Sequence, residues 1–535
     1  MANSQPVATA LLSALILLTV TDEPAYAQTL NNQSPGQMRN VVREALANGT
    51  RVSAIQPKIL KNQVVFDVML IPNPDETGWM TLLNLTPQQL TQARARYGPE
   101  GYTIAQQTSI NANGQNFIST IWLKTKPPIS TLVLPTGRQP EKGERVEHLE
   151  PIDKLVKSFR KTHNAAGVTL AMMRDGQLVY ERAFGWANAN ERQHMELDTP
   201  MRIADISKTF TAIATMQLVE KGRVKADAAI VPLLKQARFR GVSSIKDDRW
   251  NQITIQHLLQ HRGGWDAKKS QDPMFRSPLV AQELKLRKDA TAKDVVKYQL
   301  PRRLDFKPGS QFGYSNFGYC LLGRVIEIAD DRTYGSTVLR NILKPLELKN
   351  TKRARSVPDK RPKLEAWYHM QRDQKAAAYW TASQAQVRRA GKTIDAPDIV
   401  RQPDGVFQLE IMDSTAGWTS TAGDLARFFD AIRREANPLV EAETLKQMLA
   451  KPDEKSEDKS WYGAGLWVQE TDEGVRFWHG GSMAGTSSMT VSEANGIAWA
   501  VLFNTDVSKE SGKPLAAEFE PLMSKTLAAV QWPSD

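Results

Sequence analysis

The sequence predicts an α+β protein whose larger part is an antiparallel sheet flanked by helices. Residues 168–172 have apolar residues at alternating positions, a pattern typical of strands, and residues 178–182 predict a second strand. Asp175-Gly176, between them, is a pair typical of a hairpin turn. Two further apolar segments, 463–467 and 497–502, predict strands that complete the sheet near the end of the chain.

Length and composition indicate a folded protein of more than one domain. The chain has 535 residues, of which 41% are hydrophobic and 24% charged, and this balance argues against disorder. The single cysteine, Cys320, excludes an internal disulfide framework. It lies in the apolar stretch 319–322, so we expect a buried structural thiol.

The formal net charge of +11 is concentrated in the segments 285–288 and 349–363. Either cluster could attract anionic polymers of the cell envelope, or both could be solvated loop surfaces. The sequence has no nucleic-acid-binding motif, so a nucleic-acid partner is not expected.

The first 27 residues predict a signal peptide. An apolar run at 7–20 is followed by Ala25-Tyr26-Ala27, an A-x-A cleavage pattern. The run has about 14 residues against the ~20 of a spanning helix, although an uncleaved anchor stays an alternative. We expect an exported bacterial protein, periplasmic or secreted, with no membrane span after signal cleavage.

Residues 38–126 predict a small α+β accessory module. A strand-like run covers 64–70, and Thr86-Pro87 opens a helix with a T-x-x-Q capping box. A hairpin follows, with its turn at Asn113-Gly114 and its second strand ending at 121–123. This strand–helix–hairpin order is visible once, and it resembles the small modules that precede the catalytic domain of polyglycine-hydrolase-like proteins. An unrelated accessory domain is the alternative.

A linker is predicted at 127–147, because this segment is rich in Pro, Gly and charged residues. The second domain then extends from 148 to 535. Its amphipathic segment 152–159 predicts the helix that precedes the first strand of the sheet.

Three short motifs within this domain carry chemistry. They are Asp205-Ile206-Ser207-Lys208, Tyr314-Ser315-Asn316 and His479-Gly480-Gly481. In this order they resemble the S-x-x-K, Y-x-N and K/H-[TG]-G motifs of the serine β-lactamase and penicillin-binding-protein superfamily, in its class C, DD-peptidase and esterase-like branch. Four further segments fit the same family pattern: 199–204, 253–261, 306–310 and 417–428. The resemblance implies a β-lactamase-like fold, with an all-helical region inserted into the sheet domain.

The resemblance also implies roles for individual residues in the hydrolysis of an amide or ester through an acyl-serine. Lys208 and Tyr314 would relay the proton of the nucleophile. Asn316 would hold the substrate amide or the lysine amine, and His479, Gly480, Gly481 and Ser482 would line the substrate cleft. The backbone N–H groups of Ser482 and of residue 205 would stabilise the oxyanion. His257 and His261 belong to the helical region and are expected to be structural.

Asp205 stands where the motif has its serine nucleophile. We expect it to form an ion pair with Lys208 and to raise the pKa of this lysine, which would then be a poor base. Attack by a carboxylate on an amide would give only a reactive mixed anhydride. Ser207 is no substitute, because it lies roughly 200° around the helix from position 205.

Three interpretations of Asp205 stay open. The chain could be a non-catalytic binding protein with a retained cleft, a hydrolase inactivated by an engineered Ser→Asp change, or an esterase in which Asp205 activates water. A purely structural or adhesive role centred on the N-terminal module is a further possibility. The expected ligand is a small molecule, a peptide or a cell-wall-type substrate. No cofactor or metal is indicated, because the sequence has no H-E-x-x-H motif, no clustered cysteines and no phosphate loop.

Overall fold

The computed structural model describes most of the chain in two compact units, 1–129 and 130–535. The described residues are 28–47, 49–73, 78–98, 102–112, 114–124, 132–371, 375–377, 379, 399–434, 436, 438–452 and 458–533. The predicted signal peptide, 1–27, and Asn113 of the predicted hairpin turn lie outside them.

The first unit contains two three-stranded antiparallel sheets, with the strand orders β1-β3-β2 and β4-β6-β5. Its described elements are β1 (Gln28–Gln33), α1 (Pro35–Ala47), β2 (Thr50–Leu60), β3 (Gln63–Pro72), β4 (Trp79–Leu85), α2 (Pro87–Tyr97), β5 (Tyr102–Ala112) and β6 (Gln115–Lys124). The predicted strand at 64–70 and the capping box at Thr86 are confirmed. The described elements begin at Gln28, ten residues before the predicted start of the module at 38.

The strand–helix–hairpin order occurs twice in this unit. The single copy read from the sequence joined β3, the last strand of the first copy, to the helix and hairpin of the second, and it missed β4. The two copies share the pattern N-x-[ST]-P-x-Q, with 52 residues between corresponding positions. The corresponding residues are Asn32 and Asn84, Ser34 and Thr86, Pro35 and Pro87, and Gln37 and Gln89. In both copies the asparagine has a positive φ, and the serine or threonine forms a reciprocal capping box with the glutamine. The first copy was missed because β1 is polar and α1 begins with Pro-Gly, which hides the apolar stripe of Met38, Val41 and Ala45.

The second unit is built on a large antiparallel sheet with the order β10-β9-β8-β20-β19-β18-β17-β16, where β7 adds to β9. Its described strands are β7 (Glu141–Lys142), β8 (Gly167–Arg174), β9 (Gln177–Asn188), β10 (Gln193–His194), β11 (Met201–Arg202), β12 (Lys352–Arg353), β13 (Lys375–Ala377), β14 (Ile399–Arg401), β15 (Trp418–Ser420), β16 (Ser460–Tyr462), β17 (Trp467–Thr471), β18 (Gly474–Met483), β19 (Thr486–Ser492) and β20 (Ile497–Phe503). Its described α-helices are α3 (Glu150–Thr162), α4 (Ser207–Glu220), α5 (Ile230–Gln236), α6 (Ile255–Leu259), α7 (Ala267–Ser270), α8 (Ser277–Glu283), α9 (Ala292–Gln299), α10 (Asn316–Asp330), α11 (Tyr334–Val338), α12 (Ala422–Arg433), α13 (Ala442–Leu449) and α14 (Leu515–Ala528).

Helices cover both faces of this sheet, because its central strands are apolar on both sides. Along β20, Ala498, Ala500 and Leu502 pack into the core that contains α4 and the helical region. The alternate residues Trp499 and Val501 pack into a second core formed with α3 and α14. The predicted strands β8, β9 and β20 and the predicted helix α3 are confirmed, and Cys320 is buried.

The segment 463–467 was predicted as one strand, and this prediction was wrong. Residues 463–466 form a turn between β16 and β17, closed by a hydrogen bond from the Gly463 N–H to the Leu466 carbonyl. Gly465 has φ +79°, and a Cβ there would lie 2.3 Å from Ala212 of α4. The apolar character of the segment therefore reflects close packing against α4 and not strand pairing.

Part of the predicted linker, residues 132–147, packs against the second unit. Leu132 and Leu134 contact Trp186, and the Gln139 side chain accepts hydrogen bonds from Trp186 and Arg160. These contacts explain how a segment with few apolar residues is held on the edge of the sheet. Within the described part of the chain, no helix combines the length and apolarity that crossing a membrane needs.

Candidate active site

Asp205 lies in a tight turn that is held against two interior strands of the large sheet, β18 and β19. The turn, Ala204–Ile206, leads directly into α4, and Ala204 before Asp205 has φ +45°. A non-glycine residue in this left-handed region is strained, and such strain is common at functional sites. The turn is held from β19, since the hydroxyl of Ser488 donates to the Ile203 carbonyl and that of Thr486 to the Arg202 carbonyl.

Lys208, at the start of α4 and three residues after Asp205, is fully buried and donates three hydrogen bonds. Its Nζ lies 2.5 Å from Asp205 Oδ1, 2.7 Å from Asn316 Oδ1 and 3.3 Å from the Thr415 carbonyl. The expected ion pair with Asp205 is confirmed. The expected rise in the lysine pKa is not: burial lowers the pKa of Lys208, and attraction to Asp205 opposes this only in part. Complete burial in an apolar helix face could not be read from the motif.

Tyr314 places its ring beside Lys208 and its hydroxyl on Asp205. The Lys208 Nζ lies 4.8 Å from the centre of the ring. Burial and the hydrogen bond to the Asp205 carboxylate raise the pKa of Tyr314 well above its ordinary value. The tyrosine is therefore a proton donor here, and Asp205 accepts from both Lys208 and Tyr314.

Asn316 is oriented by Asp272, a carboxylate that the sequence analysis did not identify. Asp272 Oδ2 accepts from the Asn316 side-chain Nδ2 at 3.0 Å and from its backbone N–H at 3.2 Å. The Asn316 oxygen consequently faces Lys208. The Asp272-Pro273 pair could have predicted a helix cap, and Oδ1 does accept from the Met274 N–H, but only the fold brings it to a residue 44 positions away.

The His479 side chain points into the protein interior. Its Nδ1 lies 2.7 Å from the Gly480 carbonyl, so this nitrogen donates, and Nε2 accepts from the Tyr462 hydroxyl at 3.0 Å. Burial lowers the pKa of His479 to about 4, and the ring is neutral at pH 7. Ser482, further along β18, is exposed.

The two histidines of the helical region differ in position. His257 forms a capping box with Thr254 at the start of α6, a structural role. His261 lies closer to the site than expected, because its ring centre is 4.1 Å from that of Tyr314. Its Nδ1 accepts from the Ser315 N–H, which fixes the loop before α10.

Gly480 and Gly481 differ in the space around them, and this difference gives a test. A Cβ at position 481 would lie 2.1 Å from the Ile203 carbonyl, whereas a Cβ at position 480 would meet its nearest atom, Met489 Cε, at 3.3 Å. We expect Gly481→Ala to push the turn before Asp205 off β18 and to lower the free energy of unfolding by about 2 kcal/mol. Urea denaturation would measure this, with Gly480→Ala as the matched control. Equal stability of the two variants would contradict the close approach.

The arrangement has the parts of an acyl-transfer site except the nucleophilic hydroxyl, because position 205 carries a carboxylate. The buried Lys208 is hydrogen-bonded to both Asp205 and Asn316, and the Tyr314 ring lies beside it. Within the described residues, no group of three or more His, Cys, Asp or Glu side chains is suited to a metal ion.

Comparison with known proteins agrees with this geometry. Residues 152–518 match the family described as Beta-lactamase. The chain is 24% identical to Protein flp of Staphylococcus aureus (strain MW2) over 205 residues, which are 38% of each chain, so it spans about two fifths of that relative.

Two solved structures have a similar fold. The D-amino acid amidase from Ochrobactrum anthropi SV3 in complex with D-phenylalanine has a TM-score of 0.54 and 21% identity, over 72% of this chain and 99% of the amidase. The octameric penicillin-binding protein homologue from Pyrococcus abyssi has a TM-score of 0.51 and 21% identity, over 70% and 77%. With the family match covering most of the second unit, the chain belongs to the β-lactamase family of hydrolases.

Proposed function

We propose that this chain has kept the cleft of its family but has lost acyl transfer, and that it binds ligands there. The observation that carries the proposal is the contact of both Lys208 and Tyr314 with the Asp205 carboxylate. Acyl transfer needs a nucleophilic hydroxyl that a base can deprotonate. The acyl group must then form a stable ester with the oxygen of this hydroxyl. Asp205 offers a carboxylate, and its acyl product would be an anhydride.

Neither serine near these residues in sequence replaces the missing hydroxyl. The Ser207 side chain is fully buried, and its position in the helix, roughly 200° around the axis from residue 205, directs it away from Asp205. Ser315 Oγ accepts from the Gly318 N–H as the cap of α10. We further propose export and a small-molecule, peptide or cell-wall-type ligand, on the basis of the N-terminal sequence and the family.

The first test is covalent labelling by a fluorescent penicillin, followed by denaturing electrophoresis. We expect no specific labelling, that is, no fluorescent band that disappears when unlabelled penicillin is added in excess. We also expect no hydrolysis of a panel of esters, because Asp205 cannot form a stable acyl-enzyme. Saturable labelling would contradict the proposal. Turnover of esters without labelling would favour the alternative in which Asp205 activates a water.

A further inference from the structure

A cavity of about 490 Å³ lies where the segment 138–145 folds over β9. The segment is held by Arg182 of β9, whose Nε donates to the Lys142 carbonyl at 2.9 Å. Gly143 has φ +89°, and a Cβ there would lie 2.2 Å from the Glu181 carbonyl, so a side chain would not fit. The cavity shares no lining residue with the candidate active site. Four of its lining side chains are cations: Arg138, Lys142, Arg145 and Arg182.

Glu141, in the wall of this cavity, is shared by three cations. Its Oε2 accepts from Arg145, Lys157 and Arg182 at 3.2, 2.9 and 3.1 Å. Burial raises the pKa of Glu141, but hydrogen bonds from Lys157 and Arg145 outweigh this effect and hold the pKa below its ordinary value. Arg182 has a second carboxylate partner, Asp153, at 2.8 Å. Two carboxylates therefore meet three cations, and one positive charge is not compensated.

Two further cations form no ion pair with any described residue. Arg160 is 7% exposed, and its guanidinium donates to the carbonyls of residues 165 and 166 and to the side chain of Gln139, which lines the cavity. Burial lowers the pKa of Arg160, and attraction to Glu141 opposes this. Arg138 is exposed and lines the cavity directly. The charge of Arg160 is therefore held by neutral oxygens, and Arg138 is free to meet a ligand.

The charges around the cavity do not cancel. Lys142 pairs with Glu196 at 2.9 Å, and this pair is weak because the two side chains are 41% and 45% exposed. The six cations and three carboxylates named here have a formal net charge of +3. Glu144, which is exposed and does not line the cavity, would lower it to +2. Buried charge without a partner is costly, so an anion in the cavity would be stabilised.

We infer that this cavity binds a polyvalent anion that carries phosphate groups, with Arg138 and Arg145 in contact with it. The guanidinium fork of arginine matches the oxygens of phosphate, which carries up to two negative charges. Arg145 is 68% exposed and shares its only ion-pair partner with two other cations, so it can turn to a ligand. Binding here does not involve Asp205, and it is separate from the proposed loss of acyl transfer.

The test is isothermal titration calorimetry of the full chain with inorganic pyrophosphate at neutral pH. A salt concentration of about 0.1 M screens long-range attraction between exposed charges. We expect a Kd below about 1 mM. Arg138→Gln combined with Arg145→Gln should weaken binding at least about tenfold, because it removes two charged donors.

The matched control combines Arg287→Gln with Lys288→Gln. These two residues are exposed in the basic segment 285–288, outside the cavity, so the control lowers the net charge of the chain equally. It should change the Kd by less than about twofold. All four replaced side chains are exposed, so both variants are expected to fold, and circular dichroism would check this.

Absence of binding at about 1 mM pyrophosphate would overturn the inference. So would an unchanged Kd in the variant of Arg138 and Arg145. An equal loss in both double variants would also overturn it, because the attraction would then come from the net charge of the whole chain. Asp205→Ser should bind pyrophosphate as the parent chain does, so this result and the penicillin labelling can fail separately.

Discussion

Replacing Asp205 with serine is expected to raise ester hydrolysis about a thousandfold or more, because it supplies the one group that the site lacks. The serine hydroxyl would lie between Lys208 and Tyr314, which now both contact the carboxylate. Removing this carboxylate also removes the attraction that opposes the effect of burial on the Lys208 pKa. A larger share of the lysine would then be neutral and able to accept the serine proton.

The measurement is the rate of ester hydrolysis by the parent chain, Asp205→Ser and Asp205→Ala. The alanine variant is the matched control, since it frees Lys208 in the same way but offers no oxygen. The serine variant should also become labelled by fluorescent penicillin. If the serine and alanine variants hydrolyse esters equally slowly, the site has lost more than its nucleophile. If the parent chain equals the serine variant, the mechanism uses a water, and the loss of acyl transfer proposed above is wrong.

Replacing Lys208 with methionine is expected to lower the free energy of unfolding by about 3 kcal/mol, although methionine fills a similar volume. The change leaves Asp205 Oδ1, the Asn316 oxygen and the Thr415 carbonyl without the donor they share. Removing one member of a buried ion pair is costly for this reason.

Urea denaturation at neutral pH would measure the loss. Lys154→Met is the control, since Lys154 pairs with Glu150 on the surface of α3, where both side chains are more than half exposed. Such a pair contributes at most about 1 kcal/mol. If Lys208→Met is as stable as the parent chain or more stable, the free energy needed to bury the lysine charge equals or exceeds the stabilisation by its three hydrogen bonds. The lysine would then be retained for binding and not for stability.

The sequence predicted those parts of the fold that local pattern determines. The alternating residues of β8, the apolar run of β20 and the Thr86 capping box were identified because each depends on neighbours in sequence. The turn at 463–466 was missed because Gly465 serves close contact with α4, and a distant helix leaves no local pattern.

In the candidate site, too, local sequence predicted some features, and others depend on residues that are distant in sequence. Motif spacing placed Lys208 next to Asp205 one helical turn away, and the ion pair follows from that spacing. The pKa of Lys208 depends on burial by residues from many segments, and the expected direction was wrong. Asp272 lies 44 residues before Asn316 and carries no motif, so only the three-dimensional structure associates them.

The duplicated pattern in the first unit has a consequence for how this protein can change over generations. Each copy has its own capping box and its own positive-φ asparagine, and its helix packs a few apolar residues against a sheet. A stretch of 52 residues therefore forms one complete strand–helix–hairpin unit. An in-frame gain or loss of one such stretch would leave the capping box and the turn of the remaining units unchanged. Homologues are then expected to differ in the number of copies more readily than in the length of any one, and a surface of adjustable size could be placed before an unchanged hydrolase fold.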